Sequence, residues 1–152
     1  MIKLLIADDE PLVQIGIKSM LDWEKMGVTV VGTAFNGEIA YKQILQYSPE
    51  IVISDIKMPI MSGLELAQKC RDELGKVPLF IFITSYEEFE YVKTALSVQA
   101  VDYLIKLELD KEILEAAVKK AIGILNEQSG TQHSGSYPLL HNYKEKFFKA
   151  YL

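Results

Sequence analysis

The sequence predicts an α/β protein built on a doubly wound, five-stranded parallel sheet in the order 2-1-3-4-5. Three observations carry that prediction. Short apolar runs recur along the 152 residues, at 2–7, 28–34, 51–55, 79–83 and 100–105. Between and after them lie segments whose apolar residues repeat at helical spacing. Strands that alternate with helices form parallel sheets covered on both faces and joined by right-handed crossovers. Finally, most of the runs end on a group able to do chemistry, namely Asp8, Asp55, Thr84 and Lys106. Open sheets of this kind bind ligands outside the carboxyl ends of their strands.

The first run, Ile2 to Ala7, is broken only by Lys3 and leads into Asp8-Asp9-Glu10. Pro11 suits the first turn of a helix, because its missing N–H would be unpaired there anyway. In that helix Leu12, Ile15, Ser19 and the stretch from Leu21 to Trp23 mark the partly apolar face, which closes near Gly27. Val28 to Ala34 is β-branched and apolar, a second strand. Asn36-Gly37 resembles a hairpin turn, but Glu38, Ile39, Ala40, Ile44 and Leu45 follow at helical spacing, so it reads as a helix start ending at Ser48-Pro49. Ile51 to Asp55 is a buried strand that Pro59 and Gly63 prevent from continuing. Ser62 with Glu65 three residues on forms a capping-box pattern, followed by Leu64, Leu66, Ala67 and Cys70. Gly75 and Pro78 end that helix. Leu79 to Ile83 is a fully apolar strand ending at Thr84, and Ser85-x-x-Glu88 opens an aromatic-rich helix with Phe89, Tyr91, Val92 and Leu96. Ala100 to Ile105 is the fifth strand. The last helix runs from about Asp110 to Leu125, with Ile113, Leu114, Ala117, Val118, Ala121 and Ile124 on its apolar stripe.

Composition narrows the function classes. A net charge of -5 argues against a nucleic-acid surface, which needs a basic face. Cys70 is the only cysteine, so an internal disulfide is excluded and a reducing, cytoplasmic setting is expected; its own place is in the core. No apolar run reaches the roughly 18 residues of a membrane span. No glycine-rich nucleotide loop follows the first strand, and there is no G-x-S-x-G elbow. His133 and His141 are isolated in a polar tail and make no metal site.

In the order 2-1-3-4-5, strands one and three are neighbours at the switch point, so Asp8 and Asp9 converge with Asp55. Clustered carboxylates repel one another and recruit a hard cation; oxygen ligands with open positions suit Mg²⁺. Such a cation lets a carboxylate act as nucleophile toward a phosphoryl group, with Lys106 as a point charge and Thr84 as a hydroxyl donor. Each residue also has a plainer reading. Asp8, Asp9 and Glu10 charge a helix N-terminus, Thr84 and Ser85 cap, and Lys106 snorkels. Together those readings require every polar residue to reach the same sheet edge by accident.

With these residues in hand, the chain resembles the receiver domain of a bacterial two-component response regulator, a flavodoxin-like fold. The resemblance rests on Asp8-Asp9, on Asp55 with Met58-Pro59 and Gly63 behind it, and on Thr84, Tyr103 and Lys106, and it covers residues 1–126. It implies that Asp55 accepts a phosphoryl group from a sensor histidine kinase. Asp9 and Asp55 would hold Mg²⁺ directly, Asp8 through water and Lys57 through its backbone carbonyl. Thr84 and Tyr103 become the switch residues, and the face of the fourth helix, fifth strand and fifth helix offers a homodimer contact. Ser85 is the small residue the family keeps beside its threonine. The bulky Lys57 and Tyr86 flank the path of hydrolytic water, so slow self-dephosphorylation is expected.

One residue departs from the family pattern, which commonly follows its lysine with a cis proline. Here Leu107 follows Lys106. A cis bond before leucine costs about 2.5–4 kcal/mol, against roughly 0.5–1 before proline. The expectation is a trans peptide with a rearranged loop from Leu107 to Leu109, or else a strained cis bond. Two other functions stay open on the residues alone: a receiver-like interaction module that signals without phosphate, and a Mg²⁺-dependent aspartyl phosphatase. The phosphatase pattern places Asp-x-Asp after the first strand, whereas the acids here are adjacent. Residues 127–137 read as a flexible linker. Residues 138–152, with Leu140, Tyr143, Phe147 and Tyr151 at helical spacing, read as the start of an output or linker helix. The segment from Ser85 to Tyr91 and the pair Leu139-Leu140 resemble receivers joined to helix-turn-helix units of the arabinose-activator type. DNA binding would then belong to a C-terminal domain that these residues do not contain.

Overall fold

Five strands pair in parallel in the order β2-β1-β3-β4-β5: β1 Ile2–Ala7, β2 Val28–Ala34, β3 Ile51–Asp55, β4 Leu79–Thr84 and β5 Asp102–Ile105. The computed structural model describes residues 1–85 and 98–129. Its helices are α1 Pro11–Met20, α2 Gly37–Tyr47, α3 Gly63–Leu74 and α4 Lys111–Ser129. Every residue of β3 and β4 is buried, which is why both read as continuous apolar runs rather than alternating ones.

Alternation of side chains along the strands splits the core in two. Leu4, Ile6, Ile51, Ile53, Ile81 and Ile83 face one side of the sheet, where Ile17 and Leu21 from the α1 segment and Leu114, Val118 and Ala121 of α4 cover them. Leu5, Val52, Phe80 and Phe82 face the other, covered by Ala40 and Ile44 of α2 and by Leu66, Ala67 and Cys70 of α3. The two Phe rings stack with centroids 5.6 Å apart.

Helix boundaries follow local chemistry. Asn36 accepts a hydrogen bond from the Ile39 N–H at 2.8 Å, so Asn36-Gly37 opens a helix as the spacing predicts. Ser62 and Glu65 form a reciprocal capping box at the start of α3. Pro11 occupies the first turn of α1.

Four expectations need correction. The buried face of α1 is not the Leu12–Ile15 stripe, since these side chains are 81% and 62% exposed. Val13, Gln14 and Ile17 face inward instead. The inward face includes a glutamine whose amide is satisfied by backbone carbonyls, and apolar spacing discounts such a residue. Ile113 likewise lies at the outer edge of the α4 stripe. β5 starts at Asp102; Ala100 and Val101 are buried but precede the ladder. α4 continues to Ser129, past the expected helix end near Leu125. The helix expected from Ser85 onward, Tyr86 included, and the tail beyond residue 129 lie outside the described residues.

The capping box gives a direct test. Ser62→Ala removes the hydroxyl that accepts from Glu65 N–H, and should lower the unfolding free energy by about 1 kcal/mol in urea titrations. An unchanged midpoint would show that the box contributes nothing.

Candidate functional site

The carboxyl ends of β1, β3, β4 and β5 meet at one edge because the four strands are consecutive neighbours in parallel register. β3 delivers Asp55, which is 6% exposed. The turn after β1 delivers Asp8, fully buried, with Asp9 and Glu10 exposed beside it. β4 ends on the buried Thr84. Lys106 follows β5 directly.

Lys106 joins these groups. Its Nζ lies 2.9 Å from Asp55 Oδ2, 3.1 Å from Asp8 Oδ2 and 3.0 Å from Glu10 Oε1. The bonds to Asp55 and Glu10 are directed hydrogen bonds, whereas the buried Asp8 Oδ2 sits in ion-pair range without one. The Lys106–Leu107 peptide is trans, since the cis bond among the described residues is Val77–Pro78. Lys106 to Glu108 instead form a single 3₁₀ turn. Leu107 points outward, 84% exposed, and the lysine reaches the acids without a proline behind it.

The loop after β3 is held tightly. The Lys57 N–H donates to Asp55 Oδ1 at 3.3 Å, and the Met61 N–H donates to the Pro59 carbonyl at 2.7 Å. That three-residue turn places Ile60 at a φ of 70°, a left-handed conformation strained for a β-branched side chain. Gly63 is required by contact: a Cβ there would stand 1.9 Å from the Asp55 carbonyl oxygen, while the Gly63 N–H bonds Ile56 O at 2.8 Å. The Ser54 hydroxyl, fully buried, also donates to that Asp55 carbonyl.

Thr84 Oγ1 donates to the Ser85 carbonyl at 3.2 Å. Tyr103 sits half-buried on β5 against the cluster containing Phe80 and Phe82; burial, and then the Asp102 charge, raise its phenol pKa. Two residues in the site were not singled out by their motif role. Glu10 is a third carboxylate on Lys106, signalled only by its adjacency to the acid pair. Gln14 donates from Nε2 to the carbonyls of Asp8 and Ala34.

The electrostatics are those of excess negative charge in a partly desolvated place. Burial, and to a lesser degree the charge of Asp55, push Asp8 up to about 6 against the opposing pull of the Glu10 N–H and Lys106. Burial likewise raises Asp55, with Lys106 opposing. Burial alone would lower Lys106, but its hydrogen bonds to Asp55 and Glu10, and the charge of Asp55, hold it above the ordinary lysine range. The carboxylate oxygens of Asp8, Asp9 and Glu10 lie within 4.8 Å of one another. An all-oxygen set with a buried oxygen lacking a hydrogen bond fits a hard divalent cation such as Mg²⁺.

A family model for the response regulator receiver domain matches residues 4–119, and the chain belongs to that family. It is 38% identical over 128 residues to the transcriptional regulatory protein YesN of Bacillus subtilis, covering 84% of this chain and 34% of that protein. It is 31% identical to the transcriptional regulatory protein HptR of Staphylococcus aureus, covering 99% of this chain and 58% of that one. The chain therefore spans between a third and three fifths of these relatives' length. Among solved structures, the receiver domain of the response regulator AraT from Geobacillus stearothermophilus superposes with a TM-score of 0.75 at 37% identity, covering 83% of this chain and 97% of that one. A two-component transcriptional regulator AraC from Clostridium phytofermentans gives 0.69 at 25% identity, covering 81% and 97%. The flavodoxin-like fold with strand order 2-1-3-4-5 is thus the receiver fold. Among the described residues, no helix is long and apolar enough to cross a membrane.

The raised Asp8 makes a pH prediction. An acid that holds its proton more tightly when folded stabilises the fold fully below its unfolded value near 3.8. That contribution is lost as pH rises through about 6. Above that, the ionised Asp8 costs up to about 3 kcal/mol at 1.36 kcal/mol per unit. In chelator, Asp8→Asn should flatten the stability profile between pH 4 and 7 and raise the urea midpoint at pH 8. Parallel profiles for the variant and the wild type would refute this.

Proposed function

We propose that this receiver domain is switched by phosphorylation of Asp55. The observation that carries the reading is the Lys106 ammonium 2.9 Å from Asp55 Oδ2 at the sheet edge, with Asp8 and Glu10 on the same nitrogen. Asp55 is the nucleophile. Its carboxylate oxygen attacks the phosphorus of a phosphohistidine on a sensor histidine kinase, the P–N bond breaks, and its electron pair leaves with the imidazole. Lys106 stabilises charge on the phosphoryl oxygens as it accumulates. Asp8, Asp9, Asp55 and the Lys57 backbone carbonyl are the groups that would hold Mg²⁺, which supplies positive charge to the site. The buried, raised Asp8 supports that assignment, since an acid already paying for its ionisation gains most from a cation.

Phosphorylation adds about -1.5 to -2 charges where Asp55 had one. Thr84 is poised to respond, since among the described residues its hydroxyl donates to the neighbouring Ser85 carbonyl at 3.2 Å, a bond that rotation would release. Its rotation toward the phosphoryl group, with Tyr103 turning inward, would shift the population of the β4–β5 face. That face, with the last helix, is the proposed homodimer and output surface. Exposed apolar side chains stand at the same edge as the site: Leu12 after β1, Phe35 after β2, Ile60 after β3 and Leu107 after β5. They suit a kinase domain that must bring its phosphohistidine to Asp55.

The relatives' names support an output in transcription. A chain that spans 34% of one transcriptional regulator and 58% of another is, in this reading, the receiver portion of a cytoplasmic DNA-binding regulator. Residues 1–126 form the receiver, 127–137 the linker, and 138–152 the start of an output or linker helix. DNA contact belongs to the part beyond.

Intact mass after incubation with acetyl phosphate and Mg²⁺ tests the switch. The wild type should gain one phosphate, Asp55→Asn none, and Lys106→Ala should gain it at least tenfold more slowly. After removal of donor the phosphoryl group should persist for hours, given Lys57 beside the acceptor. An equal gain in Asp55→Asn would overturn the acceptor assignment, and decay within seconds would overturn the expected persistence.

A further inference from the structure

We infer that Gln14 is a positioning residue for the cation site: it sets the Asp8–Asp9 peptide and thereby the affinity for Mg²⁺, without touching the ion or the phosphoryl group. The inference rests on the Mg²⁺ part of the proposed function.

Gln14 lies in the second turn of α1 and is 6% exposed, a polar side chain on the inward face of an otherwise apolar helix. Its Nε2 donates to the Asp8 carbonyl at 2.7 Å and to the Ala34 carbonyl at 3.0 Å. The same Ala34 carbonyl accepts the Asp8 N–H at 3.0 Å. This is where the β1–β2 ladder ends and the two chains part around the crevice, so Gln14 ties the last rung to the helix.

The consequence shows when the polar atoms of Asp8 are counted. Its N–H is held by Ala34, its carbonyl by Gln14, and its Oδ1 by the Glu10 N–H at 2.8 Å. Only Oδ2 is left without a hydrogen bond, buried and 3.1 Å from the Lys106 ammonium. Three restraints thus aim the remaining oxygen, which faces Lys106, and Gln14 is the one supplied by a side chain. Because a peptide is planar, fixing the Asp8 carbonyl also fixes the direction in which Asp9 leaves. A buried carbonyl deprived of its donor would rotate to find another, carrying both acids with it. Groups that orient metal ligands from behind typically govern affinity by 10- to 100-fold.

The test is calorimetric titration of Mg²⁺ into the unphosphorylated chain at a temperature well below unfolding. Gln14→Met keeps the length and removes the donor, and should weaken Mg²⁺ by about tenfold or more. Ile17→Val, one turn along the same buried face, loosens α1 without touching Asp8 and should leave the affinity unchanged. Amide exchange of Asp8 N–H should quicken in Gln14→Met, while Ile53 N–H in β3 keeps its protection. Equal Mg²⁺ affinity in Gln14→Met and wild type overturns the inference and leaves the proposed function standing. Equal weakening by Ile17→Val also overturns it, by reducing the effect to general loosening. A wild type that binds no Mg²⁺, with an Asp9→Asn variant that behaves identically, overturns the metal reading itself and this inference with it.

Discussion

The rest of the site depends on one cation shared among three acids. Lys106 Nζ lies within 3.1 Å of carboxylate oxygens from Asp8, Glu10 and Asp55. A single charge cannot compensate three, and two of these acids are buried. Burial first, and neighbouring negative charge second, push Asp8 up to about 6 and raise Asp55 above the ordinary carboxylate range, with Lys106 opposing both. The result is a stored demand for positive charge at the sheet edge. The two cores below are built of buried apolar side chains, so the cost is concentrated at one place.

Backbone contacts make that place rigid. Gly63 lies so close to the Asp55 carbonyl that no side chain fits, and a Cβ on Gly37 would stand 2.3 Å from the Met61 carbonyl. The loop from Asp55 to Gly63 is thereby clamped between the starts of two helices, which is what lets it hold Ile60 at a positive φ. The strain is confined to the loop that directly follows the Asp55 carboxylate.

Leu107 shows how the same end is reached by other means. A trans peptide and one 3₁₀ turn bring Lys106 to Asp55 and leave Leu107 almost fully exposed. Leu107 is thus one of the exposed large apolar side chains, with Leu12, Phe35 and Ile60, that follow the carboxyl ends of strands in the chain. The departure from proline therefore costs the lysine nothing in reach.

Much of this was legible in the residues. Apolar runs ending on Asp8, Asp55, Thr84 and Lys106, separated by helical spacing and capping boxes, determined the parallel sheet, its order and the strand tips at which chemistry would sit. Those signals are local or follow from chain connectivity, so the sequence carries them by itself. Only the tertiary structure decided the rest. Spacing put the buried face of α1 on Leu12 and Ile15, because apolar periodicity cannot see that Gln14 finds two carbonyls waiting inside. It gave Glu10 no partner, because the lysine it meets is 96 residues away. It left the peptide after Lys106 open between cis and trans, because the energy difference is settled by how the turn packs. Each of these is decided by groups that are distant along the chain and meet only once the sheet has formed.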